Sequence, residues 1–349
     1  MLDPLNLVAV QAKPVLADYR DASAFRAKIT SLMERVARDA DLSLPTLVSF
    51  PELIGMYLAF APFYWDDLKR ETKLERAGTR IVMRDIASAP ESHRTSPEAA
   101  ARYLLFVRHA LEAERIYADT FSSLAREYGV YLAAGSIALP PIESEPSKGG
   151  RHIADETKVY NTAYLFSPRG VCINRVPKVN MTPGFEERVF DPGPRSELLP
   201  ADTGLGRIGT LVCFDGFHET LVERYDSLGV DILLKPSYNM HPWNAAWPFD
   251  ETKLESENWL CTGCPSIIQG RENIRYGVNA MMVGAVFEDT AAEGLSSISA
   301  NTGVPGAPWQ DGLLTIAAAV EGCAGGLLGV HGEPRFGTLS PAHPTSASG

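Results

Sequence analysis

The sequence predicts a mixed α/β domain, in which a mixed sheet is layered with helices. Three observations predict it. Short apolar runs with strand periodicity recur along the chain. Some are separated by amphipathic helical stretches, which serve as crossovers, and others by tight turn signals, which make hairpins. The chain is also long enough, at 349 residues with 45% apolar and 21% charged residues, to bury a large core without disulfides or metals. No low-complexity linker and no solenoid-period repeat divides it. Residues 1–330 therefore read as one domain. Residues 331–349, rich in Pro, Ser, Gly and His, read as a flexible C-terminal tail.

The elements follow in order. Leu5–Gln11 is a strand, because apolar residues fall at nearly every position or every second one. Residues 22–40 place Phe25, Ile29, Leu32, Met33 and Val36 on one helical face. Residues 46–50 form a second strand, stopped by Pro51. Ser96-Pro97-Glu98 starts a helix with an N-cap, a proline at the first position and an acid in the first turn. That helix runs to about Tyr128, where Gly129 is the C-cap. Residues 130–137 are a strand. Residues 159–166 and 171–176 flank Ser167-Pro168-Arg169-Gly170 and form a hairpin. Strands are further expected at 208–214, 231–235, 266–269, 279–287, 296–299 and 313–320, with helices at 217–228 and 251–260. Residues 138–157 read as a loop. The aromatic and charged stretch 59–95 carries no clear periodicity.

Composition excludes some functions. The formal net charge of −11 lacks the basic footprint of a nucleic-acid partner. No apolar run reaches the ~20 residues of a spanning helix, and Met1-Leu2-Asp3-Pro4 does not open a signal peptide. The five cysteines (Cys172, Cys213, Cys261, Cys264 and Cys323) are odd in number and sparse. They fit reduced thiols in a cytoplasm better than a disulfide framework.

Three segments put reactive groups at strand ends. Glu52 follows the strand 46–50 within Phe50-Pro51-Glu52-Leu53. Lys178 follows the return strand of the hairpin. Cys213 ends an apolar strand, and Asp215-Gly216 then turns toward a helix. A strand, a nucleophile, a sharp turn and a helix make a nucleophile elbow, which exposes the side chain and aims backbone N–H groups at a reacting oxygen. Taken singly, such residues are usually a buried small hydrophobe, a solvated carboxylate and a surface lysine.

Taken in order, the three segments resemble the nitrilase superfamily of carbon–nitrogen hydrolases. A fourth supports this: Glu186-Glu187-Arg188-Val189-Phe190-Asp191-Pro192-Gly193 resembles the family's stretch after its lysine. Ser296–Ser299, Gly303 and Gly312-Leu313-Leu314 resemble its last strands. The resemblance implies a four-layer α-β-β-α sandwich. It implies a catalytic Glu52, Lys178 and Cys213, with a second glutamate at Glu186 or the adjacent Glu187. Its chemistry passes through a cysteine thioester and takes no cofactor and no metal. The implied substrate is a small-molecule amide, N-carbamoyl compound or nitrile. Phe214-Asp215-Gly216 after the nucleophile looks more like the amidase-type branches than the Trp-Glu of true nitrilases. The sequence departs from the family pattern at Pro177, where a basic residue often stands, and at His218-Glu219, where Pro-Glu often stands.

Family members usually pair through a helical layer, so a cytoplasmic homodimer or higher homo-oligomer is expected, with no membrane or nucleic-acid partner. Phe214, Tyr57, Asn239 and Trp243 are expected at the oxyanion or substrate site by position. Residues 59–95 look like an insertion, placed either over the pocket mouth, at a subunit interface, or as a surface excursion with neither role. Capture of the thioester by an amine or thiol in place of water, an acyl transfer, is left open by the sequence, and three other readings compete. Cys261-Thr262-Gly263-Cys264 is half of a zinc or redox motif, without a visible second half. His218 five residues after Cys213 allows a Cys-His dyad. A catalytically silent binding protein on the same fold is the third.

Overall fold

The computed structural model describes residues 5–145, 150–301, 313–316 and 322–328. The expected tail at 331–349 lies outside them. Two six-stranded sheets form the centre. The first takes strands β1 (Leu5–Gln11), β2 (Thr46–Ser49), β3 (Tyr131–Leu139), β4 (Tyr160–Phe166) and β5 (Cys172–Pro177). The second takes β6 (Ala201–Thr203), β7 (Gly206–Thr210), β8 (Ile232–Ser237), β9 (Tyr276–Met281), β10 (Ser297–Ala300) and β11 (Leu313–Ile316). Strand β12 (Gly322–Leu328) returns to the first sheet beside β1. The orders are β12-β1-β2-β3-β4-β5 and β11-β10-β9-β8-β7-β6. In each sheet the three central strands joined by crossovers are parallel, and the strands outside them are antiparallel to their neighbours.

Strand alternation builds the layers. Leu5, Leu7 and Ala9 of β1 point at the other sheet and pack with Ile208, Ile232, Leu234, Val278 and Ile298. Val8 and Val10 point outward, into a core with Phe25, Ile29, Leu32 and Met33 of helix α1 (Ala22–Asp39). On the far side, Leu211 and Leu233 meet Leu221, Val222 and Tyr225. The result is the four-layer α-β-β-α sandwich. An isolated parallel bridge between Ala12 and Met282 links the two sheets at one end.

The stretch 59–95 is helical and packs as part of the domain. Its main helix, α2 (Leu74–Asp85), buries Ala77 and Ile81 in the same core as Leu104 and Phe106. The expected helix at 96–128 is interrupted. Helix α3 (Pro97–Arg102) starts on Ser96, whose Oγ accepts from the Ala99 N–H. A π-helical turn over Tyr103–Val107 follows, and α4 (Ala110–Tyr128) ends on Gly129 at φ 65°. A short helix α5 (Phe185–Val189) follows Lys178, and α6 (Glu219–Ser227) follows the elbow.

Four expected elements differ. Residues 266–269 are not a strand: Cys264–Ile267 is one helical turn with Pro265 in its first turn. Four residues with two apolar side chains, Ile267 and Ile268, have too little periodicity to separate the two states. Residues 251–260 are not one helix. Asp250–Leu254 pairs with Ala246–Trp247 as a ribbon, and a short helical turn Glu255–Glu257 and a π-helical turn Asn258–Thr262 follow. The Asp250 carboxylate accepts from the Thr252 N–H and competes with a helix there. The strand expected at 279–287 ends at Met281, and 138–157 holds the ribbon Ile142–Glu145 and Gly150–Ile153 rather than an open loop.

Candidate active site

Glu52 and Lys178 lie at strand ends of the first sheet and Cys213 beyond a strand end of the second. The turn after β2 carries Glu52 beside Leu53, whose φ is 56°, and the Leu53 N–H donates to Ser136 Oγ at 2.8 Å. Cys213 itself has φ 48° and opens a 3₁₀ turn over Cys213–Phe217. These are the two non-glycine residues at positive φ among those described, a costly conformation that surrounding structure must hold. Strand β7 is shorter than expected from the sequence, so the cysteine sits on the turn itself rather than within the strand.

Lys178 is fully buried between two carboxylates. Its Nζ donates to Glu52 Oε1 at 2.9 Å and to Glu186 Oε2 at 2.6 Å. Asn161 Nδ2 donates to the same Glu52 oxygen at 2.8 Å. The Thr182 N–H donates to Glu186 Oε2 at 2.7 Å. Glu187 instead faces solvent, with its carboxylate 3.4 Å from the Gly184 N–H. Of the two adjacent glutamates, Glu186 is thus the one against the lysine.

The backbone around Lys178 is fixed from both sides. Its N–H donates to the Asn161 carbonyl, and its carbonyl accepts from the Gly193 N–H at 2.7 Å. A Cβ on Gly193 would lie 2.5 Å from Pro177 Cβ, so this approach requires glycine. Asp215 ties the elbow to the same segment. It accepts from the Val179 N–H, the Asn180 N–H and Asn180 Nδ2 at 2.7–2.9 Å.

Burial and charge set the protonation states. Burial pushes the Glu52 carboxyl up to about 7, helped by the charge on Glu186 and opposed by Lys178. Burial acts against the Lys178 ammonium, but Glu52 and Glu186 outweigh it and hold the group charged well above the usual lysine range. Burial also opposes the Glu186 carboxylate, and Lys178 outweighs it, leaving that group ionised below its ordinary value. Burial first, then the Glu52 charge, push the Cys213 thiol up. The resting site therefore holds a thiol beside a carboxyl poised near neutrality.

The other expected contacts divide. Phe214 stands directly after the cysteine and stacks on Phe249 at 5.6 Å between ring centroids. Trp243 packs against the cluster that contains Cys213, Trp259 and Met281. Asn239 is buried, but its amide donates to the His241 and Glu293 carbonyls and shapes its own loop. The Tyr57 hydroxyl donates to Thr290 Oγ1 at 3.0 Å, with the ring packed against Tyr19, Phe60 and Phe287. Tyr57 also lines, with Leu53 and Tyr238, a cavity of about 10 Å³, room for one water at most.

Sequence reasoning missed Asn161, Lys235 and the Tyr238 carbonyl, which lies 3.8 Å from Cys213 Sγ. A lysine inside an otherwise apolar strand was the available signal for Lys235. Cys264 is buried, and the Cys261 side chain lies outside the described part. Among the described residues no group of three His, Cys, Asp or Glu is placed to hold a metal. His218 precedes α6, its ring edge-on to Phe214 at 5.0 Å.

This fold and this set of side chains define a class. The carbon–nitrogen hydrolase family model matches residues 7–285, and the chain belongs to that family. The chain is 27% identical over 221 residues to an apolipoprotein N-acyltransferase of Geobacter metallireducens, covering 56% of this chain and 39% of that protein. It is 26% identical over 170 residues to an omega-amidase of Xenopus laevis, covering 46% and 56%. It therefore spans less than two thirds of either relative. Among solved structures, Nit3 of Saccharomyces cerevisiae, of the nitrilase superfamily, aligns with a TM-score of 0.58 at 17% identity, over 95% of this chain and 92% of that one. At that identity the likeness shows the fold. No helix among the described residues is long and apolar enough to cross a membrane.

Proposed function

We propose that the protein hydrolyses a non-peptide carbon–nitrogen bond, in an amide or N-carbamoyl substrate, through a thioester on Cys213. The observation that carries this reading is the buried Glu52–Lys178–Glu186 array at the strand ends, with Cys213 on a positive-φ turn bound back to the lysine segment through Asp215.

The reaction follows from the charges. Glu52, as carboxylate, takes the proton from Cys213 Sγ while the sulfur attacks the substrate carbonyl carbon. The carbonyl oxygen becomes an oxyanion, and Lys178 Nζ and the Phe214 N–H are the donors suited to it. Glu52, now protonated, gives its proton to the leaving nitrogen, and the C–N bond breaks. Ammonia or an amine departs and the acyl group remains on sulfur. Water then attacks the thioester and gives its proton to Glu52. Collapse releases the acid, and the sulfur recovers the proton. Glu186 holds Lys178 in place throughout.

The test is turnover of a panel of amides, N-carbamoyl compounds and nitriles by the parent protein and by Cys213→Ala. The expected result is ammonia release by the parent and none by the folded variant. Retained hydrolysis in Cys213→Ala would falsify the mechanism. A second reading is favoured by the similarity to an N-acyltransferase: capture of the thioester by an amine in place of water. An N-acyl product that grows with added amine, at the expense of the acid, distinguishes it. Pairing of two copies through a helical layer is part of the same proposal, and light scattering tests it.

A further inference from the structure

One buried charge takes no part in these steps. Lys235 lies within β8, two residues before its end and on its outward face, and its side chain is completely buried. Its stem runs directly under the elbow: a Cβ on Gly216 would lie 2.7 Å from Lys235 Cε. Its Nζ lies 3.5 Å from the centre of the Phe217 ring and 4.3 Å from that of Trp259. It has no hydrogen-bond acceptor among the described residues. Trp259 packs in one cluster with Cys213, and Phe217 packs against that cluster. Behind the indole, Trp259 Nε1 donates to Glu255 Oε1 at 2.8 Å, and Glu255 is buried too.

A methionine would fill this space without desolvating a charge, so a lysine here is costly by itself. Burial pulls its ammonium down to about 8. Cys213 on the elbow opposes that most, then Cys264 on the neighbouring helical turn and Glu52 across the site, while Lys178 acts with burial. The aromatic faces supply the attraction that a hydrogen-bond acceptor would otherwise supply. A carboxylate on the indole N–H makes the Trp259 face more electron-rich.

The charge count at the site gives this cation a task. With Glu52 and Glu186 ionised, the array around Lys178 carries a net negative charge, which disfavours a thiolate beside it. We propose that Lys235, boxed by Phe217 and by a Trp259 polarised by Glu255, is a positioning residue that supplies a second positive charge behind Cys213 and favours its thiolate. No bond forms at Lys235. The thiol proton goes to Glu52, and the ammonium stays charged behind the sulfur. The proposal rests on Cys213 being the reactive thiol.

The experiment is the rate of Cys213 alkylation by iodoacetamide from pH 6 to 10, mapped by peptide mass, in the parent, Lys235→Met and Glu255→Gln. Lys235→Met keeps the stem and removes the charge, so thermal stability equal to or above the parent is expected. Alkylation at pH 7 falls about tenfold and the profile moves up by about one pH unit. Glu255→Gln moves it the same way by less, and decides the matter if Lys235→Met does not fold. Profiles that superimpose on a reactive parent overturn the proposal and leave the nucleophile standing. A parent in which Cys213 reacts no faster than Cys172 or Cys264 overturns both.

Discussion

In the proposed mechanism the pH dependence resides in Glu52. Its carboxyl is held near 7 by burial and by the charge of Glu186, against the pull of Lys178. A general base must be ionised to act, so kcat/KM should rise with pH and reach half its limit near 7. Glu186→Gln removes the like charge that helps raise Glu52. The acid limb should therefore move to lower pH, by about one unit, in a pH–rate profile; a limb that stays or moves up contradicts this assignment of charges. Glu52, Lys178 and Cys213 were picked out in the sequence by the resemblance of their three strand-end segments, taken in order, to one family; each segment alone carried little. Asn161 was not. It lies inside a strand, and its role appears only when the turn after another strand places Glu52 opposite its amide. The choice of Glu186 over Glu187 needed the helical phase of α5, which a two-residue ambiguity in sequence does not supply.

At the scale of elements, the stretch 59–95 proves to be connected to the site. Asp289 accepts from the Leu74 and Glu75 N–H groups at 2.8 and 3.1 Å and so caps the start of α2. The next residue, Thr290, accepts from the Tyr57 hydroxyl on its side chain and from the Tyr238 hydroxyl on its carbonyl. The Tyr238 carbonyl is the one beside Cys213 Sγ. Asp289→Ala leaves two helix-start N–H groups without their acceptor and should cost about 1 kcal/mol in denaturant unfolding. We expect KM to rise with it while Cys213 alkylation is unchanged. A loss of stability with unaltered KM would mean that the segment is only packed there. Helix ends with strong local chemistry, such as Ser96 and Gly129, were legible. The Asp250–Leu254 ribbon was not, because its pairing with Ala246–Trp247 decided its state over local helical pattern.

At the scale of the molecule, the site exists because two sheets are packed face to face. Glu52 and Lys178 follow strands of one sheet, and Cys213 follows a strand of the other. Within the first sheet, Glu52 and Lys178, 126 residues apart in sequence, meet in one ion pair; the second sheet brings Cys213 to the same place. Strand runs and crossover helices made a mixed sheet layered with helices legible, and the four-layer arrangement came with the family resemblance. The depth of Lys235 was not legible, because which side of β8 lies under the elbow depends on how the helical turns after the Asp250–Leu254 ribbon close over it. The whole arrangement makes one chemical claim, that Cys213 carries the acyl group. Intact-mass measurement during turnover of an amide tests it most directly. The account predicts a transient gain equal to the acyl group, mapped to Cys213 and absent in Cys213→Ala. Steady hydrolysis with no adduct at that cysteine, under conditions where thioester hydrolysis limits the rate, would contradict it.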